Sequence, residues 1–410
     1  MTRKSMVLNL RGMAAPIMNE IKLAKALFLL SMGLSLGWVS ICPAQITPIT
    51  LTNIPIYLSD LAVAGKYLYG IPASYPASAS GLRIFDITNP ATHVDVGFND
   101  GKGSADQRAL AISGDYLFYS VADELRILNL ANPAQPALVA QLAGNYPAIT
   151  IHGDHAYLTT LVGSSLWRVG IYDISNPTNP VTLGKIDTEG FTRTAVAGSY
   201  AYLADGRLLV ADISNPANPL ALGYISGLLA ADVVLYGNFA YVATGWTNNL
   251  YAFYMGNPTN PITIYEAGWQ PDTSRLLVVG NYLFISQSWQ QGFAIDDISN
   301  PTNTSFAGRI ASDYSPVSVA VSGNHAYLAS GVLTIFYLGL PAPALNLSAT
   351  SSNLVVSWPA PTLSYSLQQT TNLQAPTWVR ASNLSVPAGS QNQINIPRPV
   401  ASLFYRLVSR

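Results

Sequence analysis

The residues to test first for chemistry in this 410-residue sequence are its four histidines and a few acidic clusters. His152 and His155 flank a Gly-Asp pair, a spacing that a metal site can use, but they fall in a tight-turn pattern with no cysteine nearby. Residues 99–106 contain the acidic residues and glycines of a calcium-binding loop but lack the terminal glutamate of an EF-hand loop. A Gly-x-Ser-x-Gly pattern lies at 33–37, inside an apolar leader. The sequence therefore predicts no catalytic residue, no metal and no cofactor.

A second set of residues, tryptophans and a few charges, fits binding better than catalysis. Aromatic side chains around a few charges are typical of binding faces, and guanidinium groups can hold a carboxylate or a sulfate. The predicted ligand-binding residues are Trp167, Trp246, Trp269, Trp289, Arg193, Arg275, Asp60 and Asp232, with Tyr75 and Phe191 nearby in the same loops and links. The alternative is that each tryptophan packs its own loop against the fold.

Two recurring motifs must position these side chains. The first, apolar-Val-x-Gly-x-x-Ala-Tyr, places turn glycines at Gly65, Gly114, Gly153, Gly198, Gly237, Gly280 and Gly323. The second, clearest at residues 171–180, reads Ile-Tyr-Asp-Ile-Ser-Asn-Pro-Thr-Asn-Pro. A period of about 40 to 45 residues with several strands per unit is typical of propeller blades. The sequence therefore predicts an all-β, seven-bladed β-propeller with four strands per blade, in which the motif aspartate caps a turn.

The seventh unit lacks its own outer strand, because residues 339–343 do not continue the motif. Residues 46–54 resemble the outer strand at 179–186, which predicts that the N-terminal strand completes the last blade and closes the ring. The predicted domains are a signal peptide at 1–44, the propeller at 45–341 and a small β-sandwich at 342–410. Trp358 is the expected core residue of the sandwich.

These paired motifs resemble the LVIVD repeat over about residues 50–340. Proteins of this kind look like secreted or cell-surface bacterial β-propellers, and the resemblance implies a fold without implying any catalytic residue. Asn129, Tyr254 and Tyr337 replace the motif aspartate, which argues against a shared metal-binding role for that position. The C-terminal segment resembles fibronectin type III-like or Ig-like modules.

The N-terminal region has the order of an export signal. Lys22 and Lys25 precede an apolar run at 26–41, and a small residue, Ala44, marks a cleavage site that would leave Gln45 first. Translation can begin at Met1 or at residue 18, and lipidation at Cys42 is the alternative to cleavage. We therefore expect a secreted, periplasmic or cell-surface bacterial protein with no membrane span once the signal is removed.

Composition narrows the partners. Only 10% of the residues are charged, against about 25% in an average globular protein, and the net charge is −1, which argues against nucleic acid as a partner. We expect a monomer without enzymatic activity that binds an extracellular protein or glycan through the face bearing the long loops between second and third strands. The alternatives are an enzyme acting on polysaccharide at the mouth of the channel, and a structural surface module without a specific ligand.

Overall fold

A four-stranded antiparallel sheet recurs seven times between residues 49 and 337. The computed structural model describes residues 8–9, 45–73, 81–97, 109–121, 123–225, 227–245, 249–258, 260–267, 275–287, 292–340, 345–349, 353–359, 365–371, 377–380, 386–388, 391–397 and 404–409. The strands of the first six sheets follow sequence order from the inner to the outer edge. This is the seven-bladed, all-β propeller that the repeat period predicts.

The blades have the following strands. Blade 1 contains Leu58–Ala64, Tyr67–Pro72, Arg83–Asp86 and Val94–Asp95, with a 3-10 helix at Pro90–Thr92. Blade 2 contains Leu110–Ser113, Tyr116–Val121, Glu124–Asn129 and Ala137–Ala143, and blade 3 contains Ala148–His152, His155–Val162, Leu166–Asp173 and Val181–Thr188. Blade 4 contains Arg193–Ala197, Tyr200–Ala204, Leu208–Asp212 and Leu220–Ile225, and blade 5 contains Ala230–Tyr236, Phe239–Thr244, Asn249–Tyr254 and Ile262–Ala267. Blade 6 contains Leu276–Val279, Tyr282–Gln287, Gly292–Asp297 and Ser305–Ala311, and blade 7 contains Ser318–Ser322, His325–Ala329, Leu333–Tyr337 and Ile49–Ile54.

The hydrophobic core lies between the blades. Second and third strands are buried on both faces, as in Tyr200–Ala204 and Leu208–Asp212 of blade 4, so they are almost continuously apolar. Seven buried clusters result, one at each junction between neighbouring blades, including the junction of blade 7 with blade 1. Each blade thus stabilises both of its neighbours, and the ring needs no disulfide.

One backbone hydrogen bond recurs in all seven blades and joins the two sequence motifs. The residue after the motif aspartate position donates its N–H to a carbonyl oxygen in the glycine hairpin, at 2.7–2.8 Å. The donors are Ile87, Leu130, Ile174, Ile213, Met255, Ile298 and Leu338. The seven hairpin glycines have φ between 54° and 59°, a region that favours glycine. Because the bond uses only backbone atoms, it survives where the motif aspartate is replaced.

The motif aspartates cap turns, as predicted. Asp173 accepts the backbone N–H of Ser175 at 2.8 Å, and Asp212 accepts that of Ser214 at 2.8 Å. Ser175 holds the pKa of the Asp173 carboxyl below its usual range, first through its hydroxyl and then through its backbone N–H. Asn129, although uncharged, caps its turn in the same way by accepting the backbone N–H of Ala131 at 2.7 Å. These turns carry the fold.

The N-terminal strand closes the ring in the predicted place. Ile49–Ile54 pairs antiparallel with Leu333–Tyr337, with Ile49 opposite Tyr337 and Ile54 opposite Leu333. Ahead of this strand, Ile46 is 5% exposed and donates its N–H to the carbonyl of Ala307 in blade 6 at 2.6 Å. We call residues 45–54 the latch, because they contact both blade 6 and blade 7.

Glycines allow the turn of one blade to lie directly on the outer strand of the blade before it. A Cβ atom at Gly184 would meet the carbonyl oxygen of Pro216 at 2.2 Å, and one at Gly308 would meet that of Ile46 at 2.3 Å. Pro216 belongs to the Asn-Pro turn of blade 4, and Ile46 belongs to the latch. The latch therefore lies on blade 6 as the Asn-Pro turn of blade 4 lies on blade 3.

The protein divides into two compact units, Ile46–Leu340 and a second unit of Met1–Gln45 with Pro341–Arg410. The described residues of the second unit form two four-stranded sheets. One contains Leu8–Asn9, Tyr365–Thr370, Val379–Arg380 and Phe404–Ser409, and the other contains Asn346–Ala349, Asn353–Pro359, Val386–Ala388 and Gln391–Pro397. Trp358 is buried, at 3% exposure. In the part of the sequence that is described, no helix has the length and apolarity to cross a membrane.

Asp296 is an acidic residue at a position where the other six blades have an apolar or aromatic one. It lies on the third strand of blade 6, opposite Leu283, and burial raises the pKa of its carboxyl to about 6. The neighbouring Tyr241 hydroxyl is buried without a hydrogen-bond partner. A carboxyl whose pKa is higher in the folded than in the unfolded state costs stability once it ionises.

We expect the substitution Asp296→Asn to change the pH dependence of stability. The contribution of Asp296 to the free energy of unfolding of the wild-type protein falls as pH rises from about 4 to about 6, because the unfolded protein releases this proton first. The variant lacks this fall and is more stable than the wild-type protein above pH 7. We expect a difference of about 1 to 2 kcal/mol, less than the full effect of the pKa shift, because solvent screens a side chain that is only partly buried. Chemical denaturation across this pH range measures the effect. Asp297→Asn, at the adjacent turn position, is the control, and equal pH profiles for both variants would contradict the assignment.

Candidate functional site

The starts of the inner strands surround a cavity of about 160 Å³ at one end of the central channel. The residues five positions before the hairpin glycines form most of the rim of this cavity. Six of those seven positions line the cavity, namely Asp60, Ala109, Ala148, Arg193, Arg275 and Ser318. Repeat spacing alone brings these residues together, because the same register places each of them at the same level of its blade. We call this cavity the channel mouth.

Asp60 joins three blades at the channel mouth. One carboxylate oxygen accepts the backbone N–H of Leu61 at 3.0 Å and the hydroxyl of Ser318, in blade 7, at 2.6 Å. The other oxygen accepts the N–H of Leu110, in blade 2, at 2.9 Å. Both oxygens are therefore engaged by groups of the propeller itself.

Asp232 has the same role between blades 5 and 6. Its two oxygens accept the N–H groups of Val233 and Leu276, each at 2.9 Å. Burial is the largest influence and raises the pKa of this carboxyl, while Arg193, Arg275 and the two N–H groups act in the opposite direction. The sequence predicts that Asp232 binds a ligand. In the structure its carboxylate, like that of Asp60, accepts hydrogen bonds from the backbone of the propeller.

The two predicted arginines present their charge to the channel mouth. Arg193 begins the inner strand of blade 4, paired with Ala204, and Arg275 precedes the inner strand of blade 6. Within the described residues, neither guanidinium has a hydrogen bond or an ion pair; the backbone N–H of Arg275 donates to Ser286. Burial, and then repulsion by Arg275, lower the pKa of Arg193 to about 10. Arg193 therefore stays cationic at neutral pH.

An aromatic pair leads from the blade 3 loop toward Arg193. Trp167 lies near the start of the third strand of blade 3, half-buried, and its ring meets that of Phe191 edge to face with centroids 5.5 Å apart. The guanidinium of Arg193 lies over the Phe191 ring at 5.2 Å from the centroid. Trp167, Phe191 and Arg193 thus form one continuous surface. The predicted residues Trp246, Trp269, Trp289 and Tyr75 lie outside the described residues.

Sequence patterns missed Tyr314, in the link from blade 6 to blade 7. Its ring lies directly on Gly331, where a Cβ atom would come within 2.8 Å of it, yet 49% of the residue is exposed. The Ser312 hydroxyl donates to that of Ser330 at 2.6 Å and ties the same link to blade 7. The available signal in the sequence was an aromatic residue in a link between blades.

Metal chemistry finds no support in the described residues, where no group of three or more histidine, cysteine, aspartate or glutamate side chains could hold an ion. His152 and His155 pair across the hairpin of blade 3, and burial, followed by the charge of His155, lowers the pKa of His152. The calcium-like segment at 99–106 lies outside the described residues.

Solved structures with similar folds include several propellers of distant sequence. The WD40 β-propeller domain of Doa1 superposes with a TM-score of 0.53 at 10% identity, over 71% of this protein and 96% of that one. Sqt1 of Saccharomyces cerevisiae gives a TM-score of 0.52 at 8% identity, over 73% and 100%. A protein from Lactobacillus plantarum gives 0.52 at 9%, over 84% and 99%. At these identities the likeness shows the fold alone.

No curated protein sequence matches this one. The family profile described as "LVIVD repeat" does match, at residues 103–144, 143–188, 192–225, 229–265, 271–312 and 316–336. These segments correspond to blades 2 to 7 and cover more than half of the sequence. Blade 1 has the same hairpin glycine and the same recurring backbone bond. The protein belongs to the LVIVD repeat family.

Proposed function

We propose that this propeller is a non-enzymatic binding protein that holds an anionic group of a protein or glycan partner at the channel mouth. The observation that carries the proposal is the pair of guanidinium groups, Arg193 and Arg275, which face a cavity without a carboxylate bonded to either of them. A carboxylate or a sulfate fits them, because each guanidinium offers several donors in a fixed geometry.

The electrostatics of the pair support anion binding. Two like charges near each other and partly withdrawn from water repel, and this repulsion contributes to the lowered pKa of Arg193. A bound anion would relieve the repulsion and supply hydrogen-bond acceptors.

The enzymatic alternative needs acidic groups that are available for proton transfer. Hydrolysis of glycosidic bonds uses two carboxyl groups on either side of the bond. Asp60 lines the channel mouth and Asp232 is at the equivalent position of blade 5, and all four of their oxygens accept hydrogen bonds from the propeller. Binding is therefore the function that the geometry supports best.

Export and a C-terminal sandwich complete the proposal. The leader at 1–44 supports secretion or display on the cell surface, with lipidation at Cys42 as the other route of export. The short alternating strands after residue 344 and the buried Trp358 support a small fibronectin-like or Ig-like β-sandwich. In this arrangement a monomeric propeller meets its partner outside the cytoplasm.

The test of this function is stabilisation by simple anions. Thermal unfolding of the full-length protein is measured in sulfate and in glucuronate, with chloride at matched ionic strength as the reference. We expect both anions to raise the melting temperature, because a ligand that binds only the folded state stabilises it. The double variant Arg193→Gln/Arg275→Gln should lose the part of this rise that comes from anion binding, and keep only the general stabilisation that sulfate gives to folded proteins. Lys66→Gln, which removes an exposed cation from the opposite end of blade 1, should keep it. Equal rises in all three proteins would overturn the proposal.

A further inference from the structure

Exposed apolar side chains surround the channel mouth, on the links that enter the inner strands and on the tip of a long hairpin. Their exposed fractions lie between 38% and 49%. We call them the apolar ring, and its members are Tyr57, Leu161, Phe191, Leu229, Tyr314 and Val317. Tyr57 precedes blade 1, Phe191 blade 4, Leu229 blade 5, and Tyr314 and Val317 blade 7, so the ring draws on most of the propeller's circumference. Several exposed large apolar side chains at one end of a rigid fold are candidates for covering by a partner.

Members of the ring are held in place by the fold. Tyr314 lies on Gly331, and Phe191 packs edge to face on Trp167. Leu161 lies on the hairpin of blade 3 directly opposite Trp167, in a strand that extends beyond the start of the inner strand. Val317 donates its N–H to the carbonyl of Ala329 at 2.9 Å. Exposed groups fixed before binding lose little conformational entropy when a partner covers them.

The other end of the propeller differs. Among the described residues, its exposed large apolar side chains are Tyr254 and Tyr337, which occupy the motif aspartate position, and residues at the outer edge where outer strands begin, such as Ile49, Leu220 and Ile262. They lie away from the channel, whereas Val162 and Leu166 lie beside Leu161 at the tip of the blade 3 hairpin. Ionic groups near the ring are also paired with each other. Arg168 bonds Asp187 at 2.6 Å, and Arg207 lies 2.9 Å from Glu189. Arg193 and Arg275 differ from these pairs, because Asp60 and Asp232 attract Arg193 through space but no carboxylate of the described residues is bonded to either guanidinium.

We infer that the partner is a protein segment in which a carboxylate is flanked by apolar side chains. The carboxylate, from an aspartate, a glutamate or a free C-terminus, lies between Arg193 and Arg275, and the flanking apolar groups cover the apolar ring. This inference rests on the proposed function and narrows its ligand to a protein. Three ring members, Leu161, Leu229 and Val317, are aliphatic. Aliphatic groups gain from covering other apolar groups, whereas sugar rings stack on flat aromatic faces.

The experiment uses a library of random linear peptides displayed on phage and the immobilised full-length protein. We expect enrichment of peptides with one acidic residue, or a free C-terminus, between or beside apolar residues. Binding of a synthetic copy of the best peptide should weaken about tenfold or more in Leu161→Ser and in Leu229→Ser, the effect of removing a well-covered contact. It should be lost in Arg193→Gln/Arg275→Gln. Leu220→Ser, at an exposed position on the outer strand of blade 4, should bind unchanged.

The outcomes separate this inference from the function on which it rests. If sulfate and glucuronate stabilise the protein through the two arginines but no such peptide is enriched, the partner is not a protein and the inference is overturned while anion binding stands. Enriched peptides whose binding is unaffected by both ring substitutions would overturn it as well. If neither anions nor peptides depend on the arginines, both proposals fail. Thermal unfolding of each variant checks that the serine substitutions leave the fold intact.

Discussion

Removing the latch, residues 45–54, is expected to lower the melting temperature on the order of 10 °C or more. The outer strand of blade 7 would be lost, and with it the cover over the apolar cluster that Leu51 and Ile54 help to form with Leu333 and Ile335. Ile46, which is almost completely buried against blade 6, would go too. Burying each such side chain contributes about 1.5 to 3 kcal/mol, so the combined loss is a large part of the stability of a domain. Thermal unfolding of two proteins, one starting at Gln45 and one at Pro55, measures the difference, and equal melting temperatures would contradict the closure.

A milder substitution tests the same contact in case the shortened protein fails to fold. Gly308→Ala places a Cβ atom 2.3 Å from the carbonyl oxygen of Ile46, so the latch must shift away from blade 6. Gly245→Ala is the matched control, since its nearest neighbour lies at an ordinary 3.6 Å. The latch predicts destabilisation for the first variant only.

Repeat arithmetic explains why the closure could be predicted from sequence. An outer-strand pattern at residues 46–54, ahead of the first blade, and a seventh unit without one leave a single way to complete the ring. The hairpin glycines and the Asp-Ile-Ser-Asn-Pro turns are local signals, because each depends on residues within about five positions of sequence. Those signals predicted the blades, the turn-capping role of Asp173 and the position of Arg193 and Arg275 at the channel mouth.

The roles of Asp60 and Asp232 could not be predicted in this way. Their bonding partners, Leu110 and Leu276, lie 50 and 44 residues further along the sequence, and Ser318 lies 258 residues from Asp60. Only closure of the ring brings these groups within hydrogen-bonding distance. The sequence alone does not distinguish a charged residue that binds a ligand at the mouth of a channel from one that joins two blades. Tyr314 escaped notice for a related reason, because its position depends on Gly331, in the turn of blade 7.

Asp60→Ala should be among the most destabilising single substitutions in the propeller. The Asp60 carboxylate accepts hydrogen bonds from two backbone N–H groups and one hydroxyl. Without it, these buried or partly buried donors would lose their acceptor. A buried donor without an acceptor costs about 1 to 3 kcal/mol, so we expect a loss of about 3 kcal/mol or more in the free energy of unfolding. Chemical denaturation at neutral pH measures it.

Two controls make this prediction specific to the joining of blades. Asp212→Ala removes a half-buried aspartate that caps the turn of one blade through Ser214, and should cost less than about 1 kcal/mol. Asp60→Asn keeps one oxygen that can accept from backbone but loses the second, and should fall between the two alanine variants. If Asp60→Ala is no less stable than Asp212→Ala, the Asp60 carboxylate does not hold blades 7, 1 and 2 together. Asp60 would then again be a candidate ligand-binding residue. The interblade role therefore predicts a fixed order of stability, with the wild-type protein first, then Asp212→Ala, Asp60→Asn and Asp60→Ala.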